Sequence, residues 1–186
     1  MAIKNKSMYA ILGILNLAPS TGYDIKRYSD KVLSGFWNEN FGHIYPTLKK
    51  LLENEMIEVI PGESNDNKIR YGITEKGKRE LDDWLVKKSE QQPMRSEFML
   101  KLLFSSSQPT DYVIRMLREY KERHLTDVAH YLEIQEALMR DQTISKERKF
   151  FLNMTLRRGI IAGNATVTWC DEAIEEVGKG FSEDKQ

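Results

Sequence analysis

The apolar residues change their repeat twice within the first half of the chain, and this order of periods restricts the fold more than any other feature of the sequence. Three helical stretches come first. Met8, Ile11, Leu12 and Leu15 recur at helical spacing after Ser7, which can cap the start, and Pro19 stops the run. Thr21 to Leu33 repeats the pattern, with Ile25, Tyr28 and Val32 inward and Lys26, Arg27 and Lys31 toward solvent. From Gly42 to Glu55 the buried stripe is Ile44, Leu48, Leu51 and Leu52. Pro46 suits that helix only in its first turn, whose N–H groups have no helical partner anyway. Two β-branched runs follow, Met56–Ile60 and Lys68–Thr74, around a Pro-Gly-Glu-Ser-Asn-Asp-Asn turn, which predicts a hairpin. Thr74 then caps a fourth helix with Leu81, Trp84 and Leu85 as its apolar face. Helix, helix, helix, hairpin, helix is the order of a winged helix-turn-helix.

Gln91-Gln-Pro-Met marks a boundary near Pro93, giving domains at 1–92 and 93–186. Glu97 to Phe104 predicts a short helix ended by Ser105-Ser-Ser-Gln-Pro. A long helix follows from Thr110 to about Arg140. In it Val113, Leu117, Tyr120, His124, Val128, Tyr131, Gln135 and Leu138 recur at alternating three and four residues, a seam of about 40 Å at 1.5 Å per residue. The last helix, from about Ser145 to Val177, carries Phe150, Phe151, Met154, Ile161, Val167, Trp169 and Ile174. Two long helices cannot bury such wide faces on each other alone, so a second copy of the chain is the expected partner. Val113, Leu117, Tyr120, Val128, Tyr131, Leu138, Phe150, Met154 and Ile161 are the dimerisation candidates. The fold class is therefore mainly α with a small β-hairpin: an N-terminal winged helix-turn-helix plus a C-terminal long-helix dimerisation domain.

A helix-turn-helix places its second helix in the major groove, the one groove wide enough to admit a helix and display a distinct pattern for each base pair. Here that helix is the third, with His43, Tyr45, Thr47, Lys49 and Lys50 expected outward as donors to base edges and phosphates. Tyr23 on the second helix can reach a phosphate. Lys68 and Arg70 on the returning wing strand can reach the minor groove or backbone, and Lys4 and Lys6 can act as a short basic arm. Net charge lends no support, since 28 basic residues balance 28 acidic ones. Through Gln92 the chain has 14 Lys and Arg against 13 Asp and Glu, so any basic surface must be local.

Thr21-Gly-Tyr-Asp-Ile, Gly42-His-Ile-Tyr-Pro-Thr-Leu-Lys-Lys-Leu with Met56-Ile, and Arg70-Tyr-Gly-Ile-Thr-Glu-Lys-Gly together resemble the signature of PadR transcriptional regulators. Arg157-Arg-Gly and Trp169-Cys-Asp-Glu-Ala-Ile extend the likeness to the helical C-terminal domain of the longer PadR subfamily. The resemblance implies a homodimer on double-stranded DNA that represses nearby genes and is released by a small molecule, phenolic or antimicrobial in the better-known members. The chain departs from many relatives at His43, where they place Ser or Thr, better N-caps than an imidazole.

Other readings of these residues are narrower. Trp37, Trp84 and Trp169 are first of all packing residues, with Trp169 kept as an effector-binding candidate. Gly159 and Gly163, four apart, allow close helix contact. His124 and His130 are six apart and fall on different helix faces, so they cannot converge on one metal ion. Without a Gly-rich phosphate loop, a nucleophile elbow or a Cys–His pair in nucleophile context, the chain is not expected to be an enzyme or to need a cofactor. Cys170 stands alone and forms no internal disulfide. The opening Met-Ala-Ile-Lys-Asn-Lys lacks a signal cleavage pattern and no apolar run suits a membrane, so the cytoplasm is the expected location. The competing reading is a winged-helix dimer that serves as a protein-interaction adaptor without DNA binding; Glu39, Glu53 and Asp66 masking the basic face would favour it.

Overall fold

The computed structural model describes residues 6–33, 36–37, 39–61, 69–90 and 95–180. The chain divides into two compact units, Met1–Gln91 and Gln92–Gln186.

The first unit opens with α1 (Ser7–Leu15), where Lys6 rather than Ser7 occupies the N-cap and Ser7 is buried in the first turn. A two-residue strand, β1 (Ser20–Thr21), follows; its brevity leaves no alternation for a sequence pattern to register. Thr21 then caps α2 (Gly22–Tyr28) in a capping box: its hydroxyl accepts from the Asp24 N–H at 3.1 Å, and the Asp24 carboxylate accepts from the Thr21 N–H at 3.2 Å. The chain continues as a π-helical turn, Ser29–Leu33.

Helix α3 (Phe41–Glu53) begins one residue before the expected start, because Asn40 is its cap and accepts from the His43 N–H at 3.1 Å. His43 is thus a third-position residue and carries no capping duty. Pro46 sits in the second turn of α3, not the first, and leaves the Gly42 carbonyl without its usual donor four residues on. Gly42 is exposed, so water can replace that bond. The C-terminus of α3 closes on Glu55, at φ 55°, with the Met56 N–H bonded to the Leu51 carbonyl and the Glu55 N–H to the Leu52 carbonyl, both at 2.9 Å. This is a Schellman closure with glutamate in the left-handed position that glycine ordinarily takes.

Strands β2 (Ile57–Ile60) and β3 (Arg70–Ile73) pair antiparallel with Ile57 opposite Ile73, and β1 adds to the other edge of β3 with Ser20 opposite Tyr71. Helix α4 (Glu75–Leu85) is capped by Thr74, whose side chain accepts from the Gly77 N–H. The Thr74 hydroxyl also donates to the Glu55 carbonyl at 2.7 Å, and its N–H to the Met56 carbonyl at 3.0 Å. The end of α3, the wing and the start of α4 are thereby tied at one residue. A Cβ on Gly77 would lie 2.1 Å from the Met56 carbonyl oxygen, so only glycine allows this approach. The core is built from Ile11, Leu12, Ile25, Ile44, Leu48 and Leu81, with Tyr28 and Trp84 packed against it. Leu85 is exposed, against expectation: it is the last residue of α4, and the core stops at Trp84.

In the second unit Ser96 caps α5 (Glu97–Leu103), a 3-10 turn (Ser105–Ser107) follows, and α6 (Thr110–Arg140) and α7 (Lys146–Gly180) form an antiparallel pair. Its register is fixed by Lys121 with Asp171 at 2.6 Å, Val128 against Gly163, Tyr131 against Gly159, and the Gln135 amide donating to Asn153 at 2.6 Å. The expected α6 seam is therefore consumed within the chain. Val113, Leu117 and Tyr120 pack with Phe98 and with Trp169 and Ile174 of α7, Val128 and Tyr131 meet the two glycines, and Leu138 is buried. A helix with residues at spacings of three and four buries that face against its nearest neighbour, and the short connection makes α7 that neighbour. What α6 leaves exposed is another row, Leu125, Leu132 and Met139, each seven residues after the last; α7 adds Phe150, Phe151, Met154 and Ile161, and α5 adds Met99, Leu100 and Leu103, with Phe104 at its C-cap. Cys170 is buried, and burial pushes its thiol above the ordinary range.

Candidate nucleic-acid interface

On the outer side of α2 and α3 the exposed aromatic and basic groups gather. Tyr23 is 63 % exposed and Tyr45 52 % exposed. His43, Lys49 and Lys50 are also exposed. Tyr45 lies across α2: a Cβ on Gly22 would come within 2.7 Å of its ring, so the glycine is what lets the ring cross. Phe41 stacks on Tyr45 with centroids 6.0 Å apart, continuing the aromatic ridge to the start of α3.

Thr47 does not share this surface. It is only 6 % exposed, because residues 44, 47, 48 and 51 fall on one helical face and Ile44, Leu48 and Leu51 turn that face into the core. Lys6 is displaced as well: its ammonium lies 3.1 Å from Glu90 and its side chain is mostly covered, so the pair holds it against the N-terminal unit instead of leaving a free arm. Lys4, Lys68 and Asp66 lie outside the described residues.

Arg70 is exposed at the start of β3, the central strand, opposite Thr21, which caps α2. The hydrogen bond from the Thr21 hydroxyl holds the Asp24 carboxyl below the usual aspartate range, aided by the charges of Arg27 and Arg70. Arg27, outward on α2 and 3.1 Å from Asp24, is a cation the sequence reading left at the surface without a role. Of the acidic groups that would mask this face, Glu39 is 1 % exposed and turned away, whereas Glu53 stands 4.0 Å from Lys49 at the end of α3 and offsets that one cation.

Glu39 is the feature that sequence reasoning missed. Its carboxylate accepts from the Trp37 indole N–H at 2.6 Å, its own N–H donates to the Ser29 hydroxyl, and its second oxygen has no hydrogen-bond partner among the described residues. His43 Nδ1 is 3.9 Å from that oxygen. The Asn40 cap could have been found, since Asn immediately before an apolar helical run is a strong start signal.

Family models match both halves of the chain, the Transcriptional regulator PadR-like family over residues 11–83 and Virulence activator alpha C-term over residues 94–177. The negative transcriptional regulator PadR of Bacillus subtilis (strain 168) is 40 % identical over 102 residues, an alignment spanning 53 % of this chain and 56 % of that protein. The crystal structure of Bacillus subtilis PadR in complex with operator DNA superposes with a TM-score of 0.78 at 28 % identity, covering 92 % of this chain and 98 % of that one. The chain belongs to the PadR-like family of transcriptional regulators. A structure of Bacillus subtilis PadR in complex with p-coumaric acid is also similar, with a TM-score of 0.75, 28 % identity and coverage of 92 % and 98 %. This PadR-like chain is a regulator and not an enzyme, and among its described residues no helix is long and apolar enough to cross a membrane.

Proposed function

We propose that the chain is a ligand-responsive repressor that binds a dyad-symmetric operator as a homodimer, with residues 1–92 contacting DNA and residues 93–186 joining the two copies. The observation that carries the reading is the outward ridge of Tyr45, Tyr23, His43, Lys49 and Lys50 on α2 and α3, in a chain whose fold matches a PadR on operator DNA. In this reading α3 enters the major groove, Tyr45 combines a phosphate hydrogen bond with apolar contact to a thymine methyl, and Lys49, Lys50 and Arg70 neutralise phosphates. Lys68, which lies outside the described residues, is the further candidate for that set. Homodimerisation is supported by the apolar groups that α5, α6 and α7 leave uncovered, above all the Leu125, Leu132, Met139 row beside Phe150, Met154 and Ile161. The effector is a small aromatic molecule, by analogy with the PadR complex with p-coumaric acid. Trp169 packs edge-on against Phe98, which supports a packing role before a ligand one.

Fluorescence anisotropy against operator and unrelated DNA over a salt series tests the assignment. Each phosphate neutralised contributes about −0.9 to the slope of log affinity against log salt, so Lys50→Ala should weaken all sequences alike and flatten the slope by about one. Tyr45→Ala should weaken operator binding more than unrelated DNA. If both variants, folded and self-associated as the parent, bind operator with unchanged affinity and slope, α3 does not read DNA, and the adaptor reading replaces this one.

A further inference from the structure

We propose that the buried Glu39 carboxylate sets the hydrogen-bonding identity of His43: it holds the imidazole proton on Nδ1, so that Nε2 faces DNA as an acceptor and selects a base that carries an amino group. The choice of base rests on the DNA-binding reading above. Glu39 acts through His43 and is a positioning residue.

Glu39 is held from two directions. Its own N–H donates to the Ser29 hydroxyl at 3.2 Å, and its Oε1 accepts from the Trp37 indole N–H at 2.6 Å. Indole donates and cannot accept, so this bond is one that the carboxylate oxygen alone can complete. The other oxygen, Oε2, is buried and has no hydrogen-bond partner among the described residues. A buried acceptor left unpaired is costly, and more so on a carboxylate. His43 Nδ1 stands 3.9 Å from it. The His43 side chain is 58 % exposed, and the last torsion of a histidine is broad, so a modest turn of the ring brings Nδ1 into hydrogen-bond distance. The His43 backbone N–H is tied separately to the Asn40 side chain at 3.1 Å, and the ring turns without loosening the cap of α3.

A neutral imidazole carries one N–H and one acceptor nitrogen, whereas a carboxylate only accepts. A ring that meets Oε2 through Nδ1 therefore keeps its proton there, and Nε2 becomes the acceptor. His43 lies in the first turn of α3, the part of a recognition helix that meets base edges. In the major groove adenine and cytosine present amino donors, while guanine and thymine present keto acceptors. In this tautomer His43 favours an amino base over a keto base on the strand it touches. A serine or threonine hydroxyl, which both donates and accepts, makes no such choice.

Long-range nitrogen–proton correlation spectra of the full-length protein at about pH 8, above the range in which imidazole usually changes charge, read the tautomer. His43→Ala assigns the signals among the three histidines. The parent ring should carry its proton on Nδ1. Glu39→Gln keeps the shape of the side chain, but its amide oxygen must accept from the Trp37 indole, which turns the amide N–H groups toward His43 and should move the ring proton to Nε2. Selection from randomised half-sites with the parent and both variants reads the consequence. His43→Ala should lose a preference at one base pair of each half-site, where the parent groups adenine with cytosine on one strand by about fivefold or more. Glu39→Gln should group guanine with thymine on that strand and leave the other positions as they are. A proton on Nε2 in the parent, or spectra that Glu39→Gln leaves unchanged, overturns the pairing. The base choice is overturned if no base pair depends on His43, or if the dependent one does not reverse in Glu39→Gln. Failure of the parent to bind any DNA overturns the DNA reading and the base choice with it, and the spectra still decide the pairing.

Discussion

Replacing Gly163 by alanine probes the closest approach of α6 and α7. The added Cβ would lie 2.4 Å from Val128 Cγ2, about 1 Å or more short of the 3.5–4.0 Å at which carbon atoms pack. Val128 is buried and β-branched, so within a helix it has one strongly preferred rotamer and cannot step aside. Overpacking of this kind costs about 1–3 kcal/mol, and alanine's better helix propensity offsets about 1 kcal/mol, leaving a net loss of about 0–2 kcal/mol for Gly163→Ala. Val128→Ala alone removes two methyl groups and should cost about 1.6 kcal/mol in lost burial. In the double variant the obstructing methyl is gone, and the nearest atoms to the new Cβ become the His124 carbonyl oxygen at 3.8 Å and the residue-128 Cβ at 3.9 Å, ordinary contact. The two losses should therefore fail to add, with a favourable coupling of about 1 kcal/mol or more. Urea unfolding followed by far-ultraviolet circular dichroism measures it, at one fixed protein concentration because self-association shifts apparent stability. A double variant that loses the plain sum of the single losses would refute the packing argument.

Gly77→Ala should be far more damaging, costing about 3 kcal/mol or more, because its Cβ meets the Met56 backbone and not a movable side chain; unaltered thermal unfolding would contradict the tie between wing and α4. Glu55→Gly should raise stability by about 1 kcal/mol by relieving the left-handed backbone, measurable as a higher urea midpoint. Because Asp24 has its pKa depressed in the fold by Thr21, Arg27 and Arg70, it contributes stability that is complete above the unfolded value of about 3.9 and is lost as pH falls through the lower folded value. Asp24→Asn should accordingly flatten the acid limb of the stability curve below about pH 4, and an unchanged limb would count against the capping box.

Local signals in the sequence carried the order of elements well. The Thr74 cap follows from residue type and position, and α6 spans Thr110–Arg140, where an uninterrupted apolar repeat runs between Pro109 and a break at Asp141. What failed were questions of facing. The alternating spacing of Val113, Leu117, Val128 and Leu138 identifies a buried face but carries no mark of whether a neighbouring helix of the same chain or of another copy buries it. Thr47 was misplaced because its hydroxyl suggests a surface role, although its position three residues after Ile44 puts it on the core side. The Glu39 network was illegible, since a carboxylate next to an Asn cap looks like an ordinary solvated residue until Trp37 and Ser29 are seen to enclose it.

The passage of the Tyr45 ring over Gly22 also bears on how such a regulator can change its preference under selection. Any substitution at position 22 that adds a Cβ must first displace the ring, whereas shrinking residue 45 frees the space at once. The two positions are therefore coupled: a change at 22 moves the Tyr45 ring in the present background and leaves it nothing to move once residue 45 has become smaller. Mutational paths to a new ridge at this surface pass through the ring: a Cβ at position 22 repositions the exposed end of Tyr45, and with it the ridge.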